Sequence, residues 1–174
     1  MHTPRRIFLI GPMGSGKSSI GRQLARRLGY PFRDSDEFLR ERTGVDIATI
    51  FEFEGEEGFR ARECQAVAEL SGLDPVVLAT GGGTVVSDQN RQLLRERGFV
   101  IYLQTGLDTQ LERTRSGRHD RPMLDTEDPE ARLRALLSER EPHYRELADL
   151  TVTTDRRSVK DVVGEISRQL EERT

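Results

Sequence analysis

The chain has 174 residues, a formal net charge of −3 and 33% charged side chains, and this length suits one domain with its own core. The mixed charge argues against a general nucleic-acid-binding protein. No apolar run approaches the roughly 20 residues of a membrane span, so we expect a cytoplasmic protein without a membrane anchor. The single cysteine, Cys64, excludes an internal disulfide and a cysteine zinc cage, and we expect it to be a passive helix residue.

A glycine-rich loop follows the first predicted strand, residues 7–10, and leads into a predicted helix over residues 19–28. The loop, residues 11–18, reads GPMGSGKS and fits the pattern G-x-x-x-x-G-K-[ST] at every fixed position. Its glycines let successive N–H groups converge on phosphate oxygens at the positive end of the following helix. Lys17 adds a cation for the β- and γ-phosphates, and the Ser18 hydroxyl suits the coordination shell of Mg²⁺. The pattern therefore predicts a nucleoside triphosphate site.

The carboxylate of Asp34 ends the second predicted strand, residues 30–34, and that of Asp36 follows two residues later. In an extended chain they alternate in direction, so one could hold Mg²⁺ through water while the other meets a substrate hydroxyl. The alternative is an N-cap, supplied by Ser35 or Asp36, for a helix that begins near Glu37. The neighbouring phosphate-binding loop favours the functional interpretation.

An all-helical insert, residues 35–72, separates the second strand from the third. It has no convincing strand pattern and predicts helices over residues 37–42, 47–53 and 56–70, with turns at residues 43–44 and 55. Such an insert between two strands of an α/β sheet is a candidate substrate-binding segment.

Three consecutive glycines, Gly81, Gly82 and Gly83, follow the third predicted strand, residues 76–79. The continuous apolar run of this strand is typical of a buried parallel strand. A plain turn would not require three glycines, because each one costs conformational entropy. Close approach of the backbone to a ligand explains them, and a tight strand-to-helix turn is the alternative.

A polar and basic stretch, residues 114–126, has no periodicity and predicts a mobile lid loop. It contains Arg115, Arg118, His119 and Arg121. A basic loop that closes over a triphosphate neutralises charge in the transition state, and the alternative is a solvated charge run.

The rest of the chain continues an alternation of strands and helices. It predicts helices over residues 88–97, 107–113, 128–144 and 158–171, and strands over residues 99–103 and 150–153. Five strands with intervening helices indicate a three-layer α/β/α fold. We expect a five-stranded, mainly parallel sheet with ligands at the carboxyl ends of its strands.

Six motifs, in this order, resemble the shikimate kinase family. They are GPMGSGKSSIGRQLA (11–25), DSD (34–36), TG (43–44) with IFEFEGEEGFRARE (50–63), GGG (81–83), RPML (121–124) and EREPHY (139–144). The resemblance spans about residues 7–166. It implies a P-loop NTPase fold of the nucleoside monophosphate kinase type. It also implies an enzyme that uses ATP and Mg²⁺ to phosphorylate the 3-hydroxyl of shikimate, on the route to aromatic amino acids.

The resemblance implies roles for residues around the nucleotide. The implied nucleotide-binding set is Gly14, Ser15, Gly16, Lys17, Ser18, Ser19, Arg121 and Arg157. In this set Ser18 is the Mg²⁺ ligand, Arg121 is a lid arginine that reaches the transferring phosphate, and Arg157 falls in the segment that packs on adenine. Asp34 matches the aspartate near the metal. Two departures from the family pattern, Ser19 for threonine and Met123 for leucine, leave the implied activity unchanged.

The resemblance also implies roles around the acceptor. Asp36 matches the aspartate that holds the reacting hydroxyl, and Arg60 and Arg140 match the arginines that grip the substrate carboxylate. Glu63 matches an acid that orients Arg60, and the glycines at 81–83 match those that contact the ring hydroxyls. By pattern alone, both arginines read as surface residues.

The implied catalytic residues are Lys17, Asp36 and Arg121, and whether Asp36 removes the hydroxyl proton or only orients the hydroxyl stays open. Two other functions compete: another small-molecule or nucleotide kinase of this fold, such as a gluconate kinase, and a non-catalytic nucleotide-binding protein. Arg60 and Arg140 argue against the first, and the catalytic residues argue against the second. We expect a monomer with shikimate and ATP as its partners, because no separate apolar helix face or heptad run indicates an interface.

Overall fold

A computed structural model describes residues 2–115 and 122–173 of the chain. The strands are β1 (Arg6–Ile10), β2 (Phe32–Asp34), β3 (Val76–Ala79), β4 (Phe99–Gln104) and β5 (Leu150–Thr153). The helices are α1 (Lys17–Leu28), α2 (Ser35–Thr43), α3 (Ile47–Leu70), α4 (Asp88–Arg97), α5 (Leu107–Thr114), α6 (Pro129–Leu147) and α7 (Val159–Glu172). Short 3-10 turns occupy Thr84–Val86 and Pro122–Leu124.

The five strands pair in parallel in one sheet with the order β2-β3-β1-β4-β5, which confirms the predicted sheet. β1 lies at the centre, where Ile7 is opposite Val77 of β3 on one side and Phe99 of β4 on the other. Because β1 and β3 are parallel neighbours, the loop after β1 and the glycines after β3 emerge side by side. This carboxyl edge of the sheet is where open α/β folds bind ligands.

Alternate side chains of β1 enter two cores, one on each face of the sheet. Ile7 and Leu9 pack with apolar residues of α1 and α7, and Phe8 and Ile10 pack with residues of α3, α4 and α6. Helices therefore cover both faces and produce the predicted three layers. A third cluster packs α2 against α3 within the predicted helical insert, and it consists of Leu39, Ile47, Ile50, Phe59 and Ala66.

The helix after β2 begins at Ser35, earlier than predicted, and its N-cap is Asp34. Asp34 Oδ1 accepts hydrogen bonds from the backbone N–H groups of Asp36 at 2.9 Å and Glu37 at 3.1 Å. A cap side chain reaches these N–H groups from the residue that precedes the helix, and Asp34 keeps the extended backbone of β2. The alternative of a cap at Ser35 or Asp36 was therefore wrong, because the strand passes directly into the helix.

The structure confirms the break that the sequence predicts at Gly55. Two helical parts of α3 meet there at a kink, because the backbone of Gly55 (φ 70°, ψ −179°) is not helical. Within the predicted lid, Pro122–Leu124 forms a 3-10 turn, because the proline presets φ and Leu124 is buried. Across residues 2–115 and 122–173, no helix is both long enough and apolar enough to cross a lipid bilayer.

We expect Gly21→Ala in α1 to destabilise the protein, although alanine is the better helix former. A Cβ on Gly21 would lie 2.6 Å from Cε2 of Phe32 and 3.1 Å from Cδ1 of Leu9. Overpacking of this kind costs roughly 1–3 kcal/mol. The matched control is Gly164→Ala in α7, where no atom of the described residues lies within 4 Å of the new Cβ. We expect this control to gain about 0.5–1 kcal/mol. Urea unfolding of both variants measures the difference, and equal stabilities would contradict the tight contact between α1 and β2.

Candidate active site

The loop between β1 and α1 presents backbone N–H groups at the start of α1. Gly16 precedes the helix in the left-handed conformation (φ 86°, ψ 18°), and no side chain of the described residues caps the first turn. The first N–H groups of a helix have no intrahelical acceptor, so an uncapped turn of this kind binds anions. The structure thus forms the anion-binding loop that the sequence motif predicts.

Lys17 folds back over this loop. Its Nζ donates hydrogen bonds to the carbonyl oxygens of Gly11 at 2.6 Å and Pro12 at 2.9 Å, and the side chain is almost fully buried. These bonds hold the ammonium group against the loop, in the cleft where the predicted phosphates would bind.

Ser18 and Asp34 are joined directly. The Ser18 hydroxyl donates a hydrogen bond of 2.6 Å to Asp34 Oδ2, so the predicted metal-binding pair is already assembled. Hydroxyl and carboxylate oxygens are hard ligands that suit Mg²⁺. In the described part of the chain, however, no group of three or more His, Cys, Asp or Glu side chains could hold a metal. A Mg²⁺ ion at this pair would therefore take its other oxygens from phosphates and water.

A cavity of about 320 Å³, here called the acceptor cavity, opens between the glycine-rich loops and the helical insert. Its walls combine carboxylates, arginines, glycines and apolar side chains. They include Asp34, Asp36, Glu63, Arg40, Arg60, Arg140, Gly81, Gly82, Gly83, Met13, Ile47, Phe51, Phe59, Pro122 and Met123. A second cavity of about 280 Å³ is lined by the P-loop residues Gly14, Ser15, Gly16, Lys17 and Ser18. Both cavities include Ser18, Asp34 and Asp36, so the two spaces adjoin there.

Two carboxylates meet beside Gly81. A Cβ on that glycine would lie 2.8 Å from Glu63 Oε2 and 3.2 Å from Asp36 Oδ1. Both of these oxygens are buried and have no hydrogen-bond partner among the described residues. The pKa of Asp36 is raised to about 7, mainly by burial and then by the charges of Asp34 and Glu63, while Lys17 opposes the shift. Asp36 therefore has an unsatisfied acceptor oxygen and a pKa suited to proton transfer near neutral pH.

Two guanidinium groups line the same cavity. Arg60 Nη1 donates a hydrogen bond of 2.8 Å to Glu63 Oε1, and its Cζ lies 5.1 Å from the centre of the Phe59 ring. Arg140 is 5% exposed, and its Nε has no partner among the described residues. Burial lowers the pKa of Arg140, and the nearby charge of Arg60 adds to this effect. A buried guanidinium with an unpaired N–H is a binding group for an anion such as a carboxylate.

The interpretation of Arg140 as a surface residue was wrong, and the sequence does contain the signal that corrects it. The buried residues of α6 are Leu133, Leu136, Arg140, Tyr144 and Leu147, which recur at helical spacing. Arg140 thus lies on the apolar face of its helix, where a charged side chain needs a specific reason. Arg60 is partly buried, since 22% of its side chain is exposed.

A third cavity of about 210 Å³ lies between the P-loop and the turn that follows β5. Ser19 and Arg157 line it, and Arg157 is held by Glu165 and by a 3.0 Å bond to the carbonyl of Thr153. Arg113 of α5 was not singled out from the sequence. Its Nη1 donates to the Gly14 carbonyl at 2.9 Å, so it joins α5 to the P-loop, and it lines this cavity as well. No local sequence signal separates Arg113 from the other arginines.

Arg121, the predicted lid arginine, lies outside the described residues. Its neighbours Pro122 and Met123 line the acceptor cavity, so the described end of the predicted lid lies against the site.

A parallel α/β sheet, a P-loop and an adjoining cavity with carboxylates and arginines define an ATP-dependent small-molecule kinase. Comparison with known proteins identifies the family. The shikimate kinase family profile matches residues 13–171. The shikimate kinase of Thioalkalivibrio sulfidiphilus is 61% identical over 93% of this chain and 85% of its own length. The shikimate kinase of Halorhodospira halophila is 54% identical over 97% of this chain and 95% of its own length. The chain belongs to the shikimate kinase family.

Solved structures agree with this assignment. A structure described as shikimate kinase from Acinetobacter baumannii in complex with shikimate has a TM-score of 0.95 and 44% identity, and the match covers 98% of this chain and 94% of that one. A gluconokinase from Sinorhizobium meliloti matches with a TM-score of 0.59 and 18% identity, over 99% of this chain and 94% of that chain. That likeness shows a shared fold alone.

We expect Asp36→Asn to raise the thermal stability of the protein at pH 8. The unfolded carboxyl has a pKa of about 3.8 and the folded one about 7, so the native state binds more protons between these values and stability falls as pH rises through them. The cost of the buried charge is complete above pH 7, and asparagine removes it. We expect a Tm at least about 3 °C above wild type at pH 8, with the gain shrinking as pH falls toward 4. A gain that is equal at pH 4 and pH 8 would contradict the raised pKa.

We expect Gly83→Ala to weaken acceptor binding without unfolding the protein. A Cβ on Gly83 would lie 2.6 Å from Cζ of Arg60, so the guanidinium must move away. Because the colliding group is the end of a flexible side chain, the fold can accommodate the methyl group. Loss of a charge-assisted contact of roughly 1.5–3 kcal/mol predicts a rise of about tenfold or more in the KM of the acceptor. The control is Gly72→Ala, whose Cβ would meet its nearest atom, the Glu69 carbonyl oxygen, at an ordinary 3.5 Å. Steady-state kinetics and heat unfolding check both variants, and an unchanged KM in Gly83→Ala would contradict this prediction.

Proposed function

We propose that this chain transfers the γ-phosphoryl group of ATP to the 3-hydroxyl of shikimate, which gives shikimate 3-phosphate and ADP. The main support is the acceptor cavity, which is lined by Asp36, Arg60 and Arg140 and which shares Asp36 with the P-loop cleft. Family membership supports the same substrate. Aromatic amino-acid biosynthesis in the cytoplasm is the corresponding role.

Recognition follows from the chemistry of the walls. Shikimate carries one carboxylate, and the guanidinium groups of Arg60 and Arg140 are suited to bind it. Its ring has an apolar face that fits against Phe51 and Phe59. The backbone of the three glycines supplies short polar contacts for the ring hydroxyls, and Asp36 accepts a hydrogen bond from the hydroxyl that reacts.

Catalysis in this proposal is positioning and charge stabilisation. The hydroxyl oxygen attacks the γ-phosphorus in line, the bond to the β–γ bridging oxygen breaks, and the hydroxyl proton passes to the Asp36 carboxylate. Lys17 and the N–H groups of the P-loop bind the phosphate oxygens. Ser18 and Asp34 would hold Mg²⁺, which neutralises phosphate charge when bound. Arg121 adds a further cation to the transferring group.

The remaining assignments belong to the same proposal. Gly14, Ser15, Gly16 and Ser19 contact the phosphates, and Arg157 lines the adenine site. In a single kinase domain, the insert at residues 35–72 binds shikimate and the loop at residues 114–126 closes over the nucleotide. The protein acts as a monomer, which is supported by its scattered exposed apolar side chains, Val45, Phe53, Leu73 and Val86.

A coupled ADP-release assay tests the function. Purified protein receives Mg²⁺-ATP with shikimate, quinate, gluconate or no acceptor. We expect turnover with shikimate alone, and nearly complete loss of it in Asp36→Asn. Activity with gluconate but not shikimate would show a different acceptor. Tight nucleotide binding without transfer to any acceptor would show a non-catalytic protein.

We expect Arg140→Lys to raise the KM for shikimate by roughly tenfold or more, with a smaller change in kcat. Lysine keeps the charge but cannot form the bidentate contact of a guanidinium with a carboxylate. The matched control is Arg134→Lys on the same helix, where the arginine is exposed and pairs with Glu130 at 3.2 Å. Similar KM values for the two variants would show that Arg140 does not bind the substrate carboxylate.

A further inference from the structure

The backbone of the three glycines is held by two side chains from distant parts of the chain. Ser35 lies between Asp34 and Asp36 and is fully buried. Its Oγ accepts a hydrogen bond of 3.1 Å from the N–H of Gly81. The side chain between the two functional carboxylates therefore fixes the start of the glycine segment.

Tyr144 holds the next residue of the same segment. Its hydroxyl donates a hydrogen bond of 2.5 Å to the carbonyl of Gly82, and the side chain is fully buried. The ring stacks on Tyr102 of β4, with 5.0 Å between the ring centres. Tyr144 lies one helical turn beyond Arg140 on α6, so one helix supplies both a cavity arginine and a contact to the glycine segment.

The backbone groups of the glycine segment can be accounted for one by one. The carbonyl of Gly81 accepts from the N–H of Thr84, and that of Gly83 accepts from the N–H of Val86, both at 3.1 Å. With the Ser35 and Tyr144 bonds, all three carbonyls and one N–H are paired. The N–H groups of Gly82 and Gly83 have no partner among the described residues, and both glycines line the acceptor cavity.

We propose that Ser35 and Tyr144 are positioning residues that fix this backbone, so that the Gly82 and Gly83 N–H groups donate to acceptor hydroxyls. Neither side chain lines the acceptor cavity. Each side chain forms a hydrogen bond with one backbone group of the segment. Without that bond, the backbone group would be free to bind the acceptor itself, or the segment would be free to rotate. This inference rests on the proposed function, since it assigns how that site reads the hydroxyls that are not phosphorylated.

The test compares Tyr144→Phe with Tyr102→Phe. Both variants remove one hydroxyl from the same buried, stacked pair, but the Tyr102 hydroxyl makes none of the glycine-segment bonds. We expect Tyr144→Phe to raise the KM for shikimate about three- to tenfold relative to Tyr102→Phe, with less than a twofold change in the KM for ATP. Ser35→Ala, which removes the other bond, should give the same selective rise.

Acceptor analogues separate positioning from general loosening. With 4-deoxyshikimate or 5-deoxyshikimate, one hydroxyl that could receive a glycine N–H is missing. We expect the Tyr144→Phe penalty in kcat/KM to fall below about twofold with at least one of them, because the lost contact is already absent. A penalty of the same size with all three acceptors, or equal KM values in Tyr144→Phe and Tyr102→Phe, would overturn the positioning role. Absence of shikimate turnover in the wild type would instead overturn the proposed function.

Discussion

The hydrogen bonds of Asp34 are the connection on which the site depends. One carboxylate oxygen caps α2 and the other accepts the Ser18 hydroxyl, so a single side chain joins the end of β2, the helical insert and the P-loop helix. This is possible because parallel strands end at one edge of the sheet, which brings residues 18 and 34 together. The insert that lines the acceptor cavity is thereby aligned with the loop that binds phosphate. A shift at Asp34 would move the acceptor and the nucleotide relative to each other.

The site also contains buried charged groups that lower the stability of the folded protein. Asp36 and Glu63 have buried oxygens with no partner among the described residues, and Arg140 has an unpaired buried N–H. Each of these groups is costly in the free protein, and each matches a group on a small hydroxylated carboxylic acid. Substrate binding would supply the missing partners, since carboxylate oxygens need donors and a guanidinium needs an anion. The cost in stability is therefore consistent with selection for binding rather than for packing.

Much of the fold was predictable from local patterns. The P-loop motif and the apolar strands depend on neighbouring residues, and the structure has both of them. The cap of α2 was misassigned by one or two residues, because a strand that passes directly into a helix gives no turn signal. Contacts between segments that are distant in the sequence could not be predicted from local patterns. Tyr144 and Gly82 are 62 residues apart, and the packing of α6 against β4 and against the 3-10 turn Thr84–Val86 brings them together.

In the proposed function, Asp36 and the two arginines direct phosphoryl transfer to one hydroxyl of shikimate. The most direct measurement is a phosphorus–proton correlation spectrum of the product formed from shikimate and Mg²⁺-ATP. We expect one new phosphomonoester whose phosphorus couples to the proton on carbon 3. An ester at another hydroxyl, or release of inorganic phosphate with no ester, would contradict it.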